Sequence, residues 1–304
     1  MKKVIVTGAS GFLGRQTLGP LVERGFEVHA VSRDVPKKMS EQIYYHACDI
    51  LDEQSTEKLF KEIAPTHLIH CAWYVEPGKF WTAVENLSWV AASIRMFESF
   101  ARHGGKRAVF AGTCAEYDWS HDFLSENKTP LHPSTLYGIC KDSLHKMLEK
   151  ASVPMGVSLA WGRLFFLYGP HEAPRRLVSE IISGLLQGKS VPCTEGHQKR
   201  DFMHIEDAGR AFVEVLESAH EGAVNIASGQ NVSIGELAQE IGKLIGRSEL
   251  LKFGAYPTPP NDPMRLGADT RILHEKVGFK PRYDLQSGLK QTIDWWREDL
   301  AKRG

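Results

Sequence analysis

A glycine-rich turn near the start of the chain constrains the fold more than any other feature. The run TGASGFLG at residues 7–14 follows a short apolar stretch, Val4–Val6, and opens an amphipathic pattern that predicts a helix to about Arg24. Glycines three residues apart permit a tight turn, a close backbone approach and packing of the helix on the strand. The unpaired N–H groups and positive dipole end of that helix favour a phosphate. The turn therefore predicts a site for a dinucleotide pyrophosphate.

The first half of the chain alternates apolar strands with helical patterns. Strands are predicted at 27–31, 67–71, 107–111 and 156–161, with helices at about 55–63, 86–103 and 134–151. This alternation indicates βαβ units and a parallel sheet covered by helices on both faces. We therefore expect an α/β fold, with a Rossmann-type doubly wound parallel sheet that binds NAD(P) in residues 1–162.

The pattern changes beyond Gly162. Helices predicted near 176–187, 206–219, 234–245 and 285–296 alternate with stretches rich in proline and glycine. We expect residues 163–304 to form a smaller, irregular C-terminal α/β domain that binds substrate, with some segments returning to the first domain.

The charge balance argues against two classes of partner. The chain has 37 basic and 37 acidic residues, so no excess charge favours a nucleic acid or a membrane. Its first residues resemble neither a signal peptide nor a membrane span. The 5 cysteines include no CxxC pair, and the 13 histidines show no metal-ligand spacing. We expect a cytoplasmic protein without disulfides or a metal site.

Residues after the second predicted strand bear on the choice of dinucleotide. An acidic residue there would bind both ribose hydroxyls of NAD. Ser32 followed by Arg33 instead suits a 2′-phosphate, because arginine makes two charge-assisted bonds to such a group. We expect NADP(H) to be preferred, whereas Asp34 keeps NAD(H) possible and Arg33 could also be a solvated surface charge. Asp49, followed by Ile50, could accept from the adenine amino group or cap a turn.

An acid–base site is predicted at the start of a later helix. Tyr137 and Lys141 are four residues apart and therefore share one helical face. A free phenol has a pKa of about 10, and a neighbouring ammonium should lower it. The same lysine can hold a nicotinamide ribose. Thr113 ends the preceding strand, where its hydroxyl can bond the substrate oxygen that Tyr137 protonates or deprotonates.

These motifs together resemble the extended short-chain dehydrogenase/reductase family, or NAD-dependent epimerase/dehydratase family, in its nucleotide-sugar branch. The resemblance covers nearly the whole chain, and Asn86 and the segments 70–72, 163–170 and 200–207 follow in the family's order.

The resemblance implies a role for each matching position. Cofactor contacts are implied at Gly8, Ser10, Gly11, Phe12, Leu13, Gly14, Ser32, Arg33, Asp49, Ile50, Cys71, Ala72, Trp73, Tyr137 and Lys141. Substrate contacts are implied at Cys114, Arg200 and Arg265. The family commonly pairs the helices predicted at 86–103 and 134–151 between two subunits, which implies a homodimer.

Departures from the family narrow the reaction. Its sugar 4,6-dehydratases follow the catalytic threonine with an Asp-Glu pair, but here those positions hold Cys114 and Ala115. GDP-fucose synthase has its epimerising cysteine at the position of Ala115. An asparagine that often contacts the substrate diphosphate is replaced by Phe166. The remaining groups suit NADPH-dependent reduction of a nucleoside-diphosphate 4-keto-6-deoxyhexose. The alternatives are an NAD-dependent nucleotide-sugar 4-epimerase and a nucleotide-sensing protein without activity.

Overall fold

Strands and helices alternate along most of the chain. The computed structural model describes residues 2–36, 39–260 and 262–303. In that part of the chain the strands are β1 (Lys3–Thr7), β2 (Glu27–Ser32), β3 (Ile43–Ala47), β4 (His67–His70), β5 (Arg107–Thr113), β6 (Phe123–Leu124), β7 (Ser158–Leu164), β8 (Phe166–Tyr168), β9 (Val191–Pro192), β10 (Lys199–His204), β11 (Gly222–Ile226), β12 (Asn231–Ser233), β13 (Leu251–Lys252) and β14 (Arg265–Ala268). The α-helices are α1 (Gly14–Glu23), α2 (Glu53–Ile63), α3 (Glu85–Arg102), α4 (Leu136–Met155), α5 (Leu177–Leu186), α6 (Ile205–Glu217), α7 (Ile234–Ile245) and α8 (Leu285–Arg303).

Seven parallel strands form the central sheet, in the order β11-β7-β5-β4-β1-β2-β3. The chain runs outward from β1 through β2 to β3 and then returns to β4 on the other side of β1. This reversal creates a crevice at the carboxyl ends of β1 and β4, where open α/β sheets bind their ligands. The predicted Rossmann-type doubly wound sheet is confirmed.

Helices cover both faces of this sheet. Apolar side chains of α1 and α6 pack on one face, and those of α2, α3 and α4 pack on the other. The strands are therefore buried on both sides, which explains their continuous apolar runs such as Val4–Val6. Local signals also fix the helix starts, because the side chain of Asp52 caps α2 and that of Thr135 caps α4.

Five other strands form a smaller mixed sheet. Its order is β12-β10-β14-β6, with β8 paired to β10, and only the pairing of β10 with β12 is antiparallel. Helices α5, α7 and α8 pack together and share a separate apolar core with this sheet. The structure thus confirms a smaller, irregular α/β part.

Several boundaries differ from those predicted. The four later helices were expected close to where they occur, but α8 continues well past Trp296. The expected division at residue 162 falls inside β7. Some later segments were expected to return to the first domain, and β11 and α6 lie in the first sheet and its layer. Within the described residues, no helix combines the length and apolar character needed to cross a membrane.

Candidate active site

The glycine turn packs directly against the segment that follows β4. Gly8 has φ +67°, and a Cβ there would lie 2.7 Å from the amide nitrogen of Ala72. A Cβ on Gly14 would overlap the carbonyl oxygen of Gly8, while the Gly11 N–H donates to that same oxygen at 2.9 Å. The close approach and the positive φ explain why glycine is required at these positions.

The turn also fits a dinucleotide pyrophosphate. No side chain caps the start of α1, where Leu13 occupies the capping position without a side-chain hydrogen bond. Ser10 and Gly11 at the tip of the turn are exposed, whereas Leu13 and Gly14 are buried beneath it and Phe12 is half-buried. An uncapped helix start beneath an accessible backbone turn is the arrangement that binds phosphate.

Backbone hydrogen bonds bring the other predicted cofactor segments to the same edge of the sheet. Ala9 N–H donates to the Val31 carbonyl at 3.1 Å, which joins the turn to β2. Cys71 N–H donates to the Thr7 carbonyl at 3.1 Å, which joins the segment after β4 to β1. Cys71, Ala72 and the glycine turn therefore line one crevice.

The residues predicted to read the adenosine ribose follow β2 and β3. The Ser32 hydroxyl donates to the Asp34 carbonyl at 2.7 Å, and the Arg33 side chain is exposed. Asp49 is exposed and accepts from the Leu51 N–H at 3.0 Å, whereas the neighbouring Ile50 is buried. Arg33 is therefore accessible to a ligand, and Asp49 at least serves as a turn carboxylate.

Thr113, Tyr137 and Lys141 lie together as predicted. Tyr137 and Lys141 occupy the first turns of α4, and Tyr137 shares a side-chain hydrogen bond with Thr113 at the end of β5. The Lys141 ammonium donates to the Ala111 carbonyl at 2.8 Å. The Tyr137 phenol, the Thr113 hydroxyl and the Lys141 ammonium therefore form one cluster.

Burial controls the protonation of the Tyr137 and Lys141 side chains. It raises the pKa of Tyr137 above that of an ordinary phenol, although the Thr113 hydrogen bond and Arg176 act in the opposite direction. It also lowers the pKa of Lys141 to about 7, a shift that the nearby Glu116 opposes. The sequence predicted a lowered tyrosine pKa, so the direction is different: removal from water outweighs neighbouring cations.

An aromatic strap, residues 73–81, covers this cluster. The rings of Phe80 and Trp81 meet the Tyr137 ring edge-on, with centroids 4.9 and 5.7 Å away. The Trp73 ring lies over the Lys141 ammonium. Asn86 fixes the strap, accepting from the Trp73 indole N–H at 2.7 Å and donating to the Phe80 carbonyl at 2.8 Å.

A buried ion pair lies behind Thr113 and was not predicted. Glu116 and Arg163 are joined at 2.7 Å, and both side chains are almost fully buried. The pattern Thr113-Cys114-Ala115-Glu116 is a capping box, so its S/T-x-x-E spacing could have revealed the role of Glu116. The partner Arg163 lies on β7, and no local pattern connects the two.

The predicted substrate residues lie in two places. Cys114 is buried, its pKa is raised to about 12 by burial, and Arg200 lies near enough to oppose that shift. Arg200 donates to Asp262 at 2.6 Å and is almost fully buried. Arg265 is exposed and pairs in register with Lys199 rather than Arg200, so its side chain leaves the opposite face of the small sheet. The structure brings Cys114 and Arg200 together but not Arg200 and Arg265.

Arg176 is a further cation near the cluster that the sequence did not single out. Its guanidinium lies 5.4 Å from the Phe80 ring centroid and influences the Tyr137 phenol. It precedes α5 in the second part of the chain, so only the tertiary fold reveals its position. Across the described ranges, no group of three or more His, Cys, Asp or Glu side chains could hold a metal ion.

Comparison with known proteins agrees with this geometry. Residues 4–227 match the NAD dependent epimerase/dehydratase family. CDP-abequose synthase of Salmonella typhimurium is 26% identical over 95% of this chain and 97% of its own length. Human dTDP-D-glucose 4,6-dehydratase is 25% identical over 98% of this chain and 91% of its own.

A solved structure shows the same fold. The UDP-glucose 4-epimerase of Thermotoga maritima superimposes with a TM-score of 0.86 at 23% identity, covering 98% of this chain and 99% of that one. The relatives thus carry several different activities on one architecture. The chain belongs to the NAD dependent epimerase/dehydratase family, and it is an NAD(P)-dependent enzyme of that family.

Proposed function

We propose that this enzyme uses NADPH to reduce the keto group of a nucleoside-diphosphate 4-keto-6-deoxyhexose. The observation that carries the proposal is the turn after Thr113. Cys114 and Ala115 supply no carboxylate there, and burial keeps the Cys114 thiol neutral. The one carboxylate of the turn, Glu116, is directed to Thr113 N–H, Trp161 and Arg163. The site therefore retains the groups for hydride transfer without those for eliminating water.

The protonation of Tyr137 favours the reductive direction. Burial raises the pKa of Tyr137, so the side chain is a neutral phenol near pH 7. A neutral phenol can donate a proton to an alkoxide, whereas oxidation of an alcohol requires the phenolate. Reduction thus begins from the form that the apoprotein favours.

Each catalytic side chain has one task in this reaction. NADPH supplies the hydride that forms the new C–H bond at the keto carbon. The Tyr137 phenol donates its proton to the carbonyl oxygen as the C=O π bond breaks, and water later reprotonates the phenolate. Thr113 holds that oxygen by a hydrogen bond. Lys141 positions the ribose of the cofactor and stabilises the phenolate by its charge.

The substrate class follows from family and relatives. The relatives named above are a CDP-sugar, a dTDP-sugar and a UDP-sugar enzyme, so a sugar nucleotide is the shared chemistry. Arg200 and Arg176 would contribute positive charge near the catalytic cluster, which suits a diphosphate. We retain Arg265 as a proposed contact, although it would need a ligand that extends around the edge of the small sheet.

We further propose a preference for NADP(H) and a homodimer. The exposed Arg33 beside Ser32 would bind the 2′-phosphate.

The homodimer would form through α3 and α4, each of which is expected to meet its counterpart in a second subunit. These helices expose apolar side chains: Leu87 on α3 is 58% exposed, and Ile139 and Met147 on α4 are 47% and 44% exposed.

The experiment uses the purified protein, NADPH and a panel of keto sugars on UDP, GDP, CDP and dTDP. We expect stoichiometric loss of reduced-nicotinamide absorbance with one carrier. Tyr137→Phe should lower kcat by roughly 100-fold or more, whereas exposed Tyr44→Phe should match the parent. A 4-epimerase, which needs the same three side chains, would instead interconvert sugar nucleotides without net cofactor consumption. That result would replace our proposal.

A further inference from the structure

A polar network behind the catalytic turn is not accounted for by the chemistry above. It links the turn after β5 to strand β7 and onward to β11. All its side chains are buried, so its charges are removed from water at a cost that must be offset by specific contacts.

The Glu116 carboxylate is the centre of this network. One oxygen accepts from the Thr113 backbone N–H at 2.8 Å and from the Trp161 indole N–H at 2.9 Å. The other accepts from Arg163 at 2.7 Å. The carboxylate packs closely against Gly112, because a Cβ there would lie 2.7 Å from the first oxygen and overlap Trp161. The carboxylate therefore holds the backbone of the residue whose hydroxyl meets the reacting oxygen.

Arg163 holds the carboxylate in turn and extends the network. It donates to the Tyr117 hydroxyl at 3.0 Å, and that hydroxyl donates to Asn225 at 2.7 Å. The Asn225 amide then donates to the carbonyls of Leu124 and Asp269 at 3.0 Å each. A continuous chain of hydrogen bonds thus runs from Thr113 to β6 and to the residue that follows β14.

We infer that Glu116 and Arg163 are positioning residues that fix the Thr113 hydroxyl for the reaction. This inference rests on the proposed function for its kinetic readout. The hydrogen bonds of the pair go to the Thr113 N–H, to Trp161 and to Tyr117, so it would act on the reaction through the Thr113 backbone. A displacement of about 1 Å at a reacting centre can lower a rate by roughly 100-fold. A buried charged pair that prevents such a displacement of Thr113 would therefore support catalysis.

The test compares two double variants that both lack the buried charges. Glu116→Leu/Arg163→Met removes the carboxylate that accepts from the Thr113 N–H, whereas Glu116→Gln/Arg163→Met keeps an amide oxygen in its place. Removing both charges avoids an unpaired buried ion, so both variants should fold. We expect kcat to fall about 100-fold in the first with little change in KM, and to stay within roughly threefold of the parent in the second.

A mutant cycle separates positioning from general structure. In a Thr113→Val background, Glu116→Leu/Arg163→Met should cause no further loss of kcat, because the hydroxyl it positions is absent. Equal losses in the Leu and Gln variants, or losses that add to that of Thr113→Val, would overturn the inference. Exposed Glu149→Gln on α4 serves as the matched carboxylate control.

Hydrogen exchange decides the point without any turnover. Amides in residues 111–117 should exchange faster in the Leu variant than in the Gln variant, with other β5 and β7 amides unchanged. Equal exchange in both variants, or faster exchange throughout the central sheet, would contradict positioning. If the parent reduces no keto sugar, the proposed function fails, and this exchange comparison still decides the inference.

Discussion

The Lys141 ammonium lies 3.6 Å from the centre of the Trp73 ring. The indole N–H is held by Asn86, so the ring stays over the cation. A cation above an indole face is stabilised electrostatically, which offsets part of the cost of burying Lys141. Because Lys141 would hold the nicotinamide ribose, Trp73 should lie close to bound cofactor.

Trp73 should therefore report cofactor binding. The chain has 7 tryptophans, and NADPH should quench the emission of this one most strongly. Trp73→Phe should remove most of the drop in tryptophan fluorescence on NADPH addition, whereas Trp295→Phe on α8 should retain it. A full drop in the Trp73 variant would place the nicotinamide elsewhere.

Gly8→Ala should impair cofactor binding in a way that Gly25→Ala does not. Both glycines have positive φ, so alanine costs about 1 kcal/mol at either position. Only Gly8 faces backbone atoms, those of Cys71 and Ala72, whereas a Cβ on Gly25 meets open space. We expect at least a roughly tenfold higher Kd for NADPH in Gly8→Ala, measured by calorimetry. Similar Kd values in both variants would contradict the pyrophosphate site.

Arg33→Ala should change the choice of dinucleotide. Loss of a charge-assisted contact to the 2′-phosphate should weaken NADPH binding roughly 10- to 100-fold and leave NADH binding unchanged. Arg297→Ala, an exposed arginine on α8, is the control. Equal effects on the two cofactors, or no effect, would mean that Arg33 is only a solvated charge.

Glu172 should make the protein less stable as the pH rises. Its side chain is 6% exposed, and burial raises its pKa from 4.5 to about 8, although Arg176 and the Ser179 N–H oppose the shift. Between these values the unfolded chain has lost a proton that the folded chain keeps, so the contribution to stability falls.

Glu172→Gln should remove this decline, because glutamine stays neutral. In urea unfolding the variant should gain stability over the parent between pH 5 and 8, by about 3 kcal/mol. Glu149→Gln should follow the parent. Parallel stability curves for Glu172→Gln and the parent would show that Glu172 ionises normally in the folded protein.

The features that could be predicted from sequence are local ones. The glycine spacing in residues 7–14 predicts a tight turn there. The alternation of apolar strands with helices predicts a parallel sheet, in which the carboxyl ends of the strands lie at one edge. Tyr137 and Lys141 share a face because helical spacing requires it. Local patterns alone therefore predict that the segments expected to bind the nucleotide meet in one crevice, although they are distant in sequence.

The remaining features depend on tertiary contacts. Arg163 is 47 residues from Glu116, and only the pairing of β5 with β7 brings the two together. The raised tyrosine pKa reflects burial under the aromatic strap, which residue spacing cannot reveal. Arg200 and Arg265 were each expected to contact the substrate, and the sequence could not show that the register of β10 and β14 directs them to opposite faces of the small sheet.

The central claim is tested most directly by following one hydride. The enzyme would be incubated with a nucleoside-diphosphate 4-keto-6-deoxyhexose and NADPH deuterated at C4 of the nicotinamide on the transferred face, and the sugar analysed by mass spectrometry. Reduction predicts one deuterium on the former keto carbon for each NADP⁺ released. A converted sugar without deuterium, with the NADPH intact, would contradict the account and identify an enzyme that recycles its own cofactor.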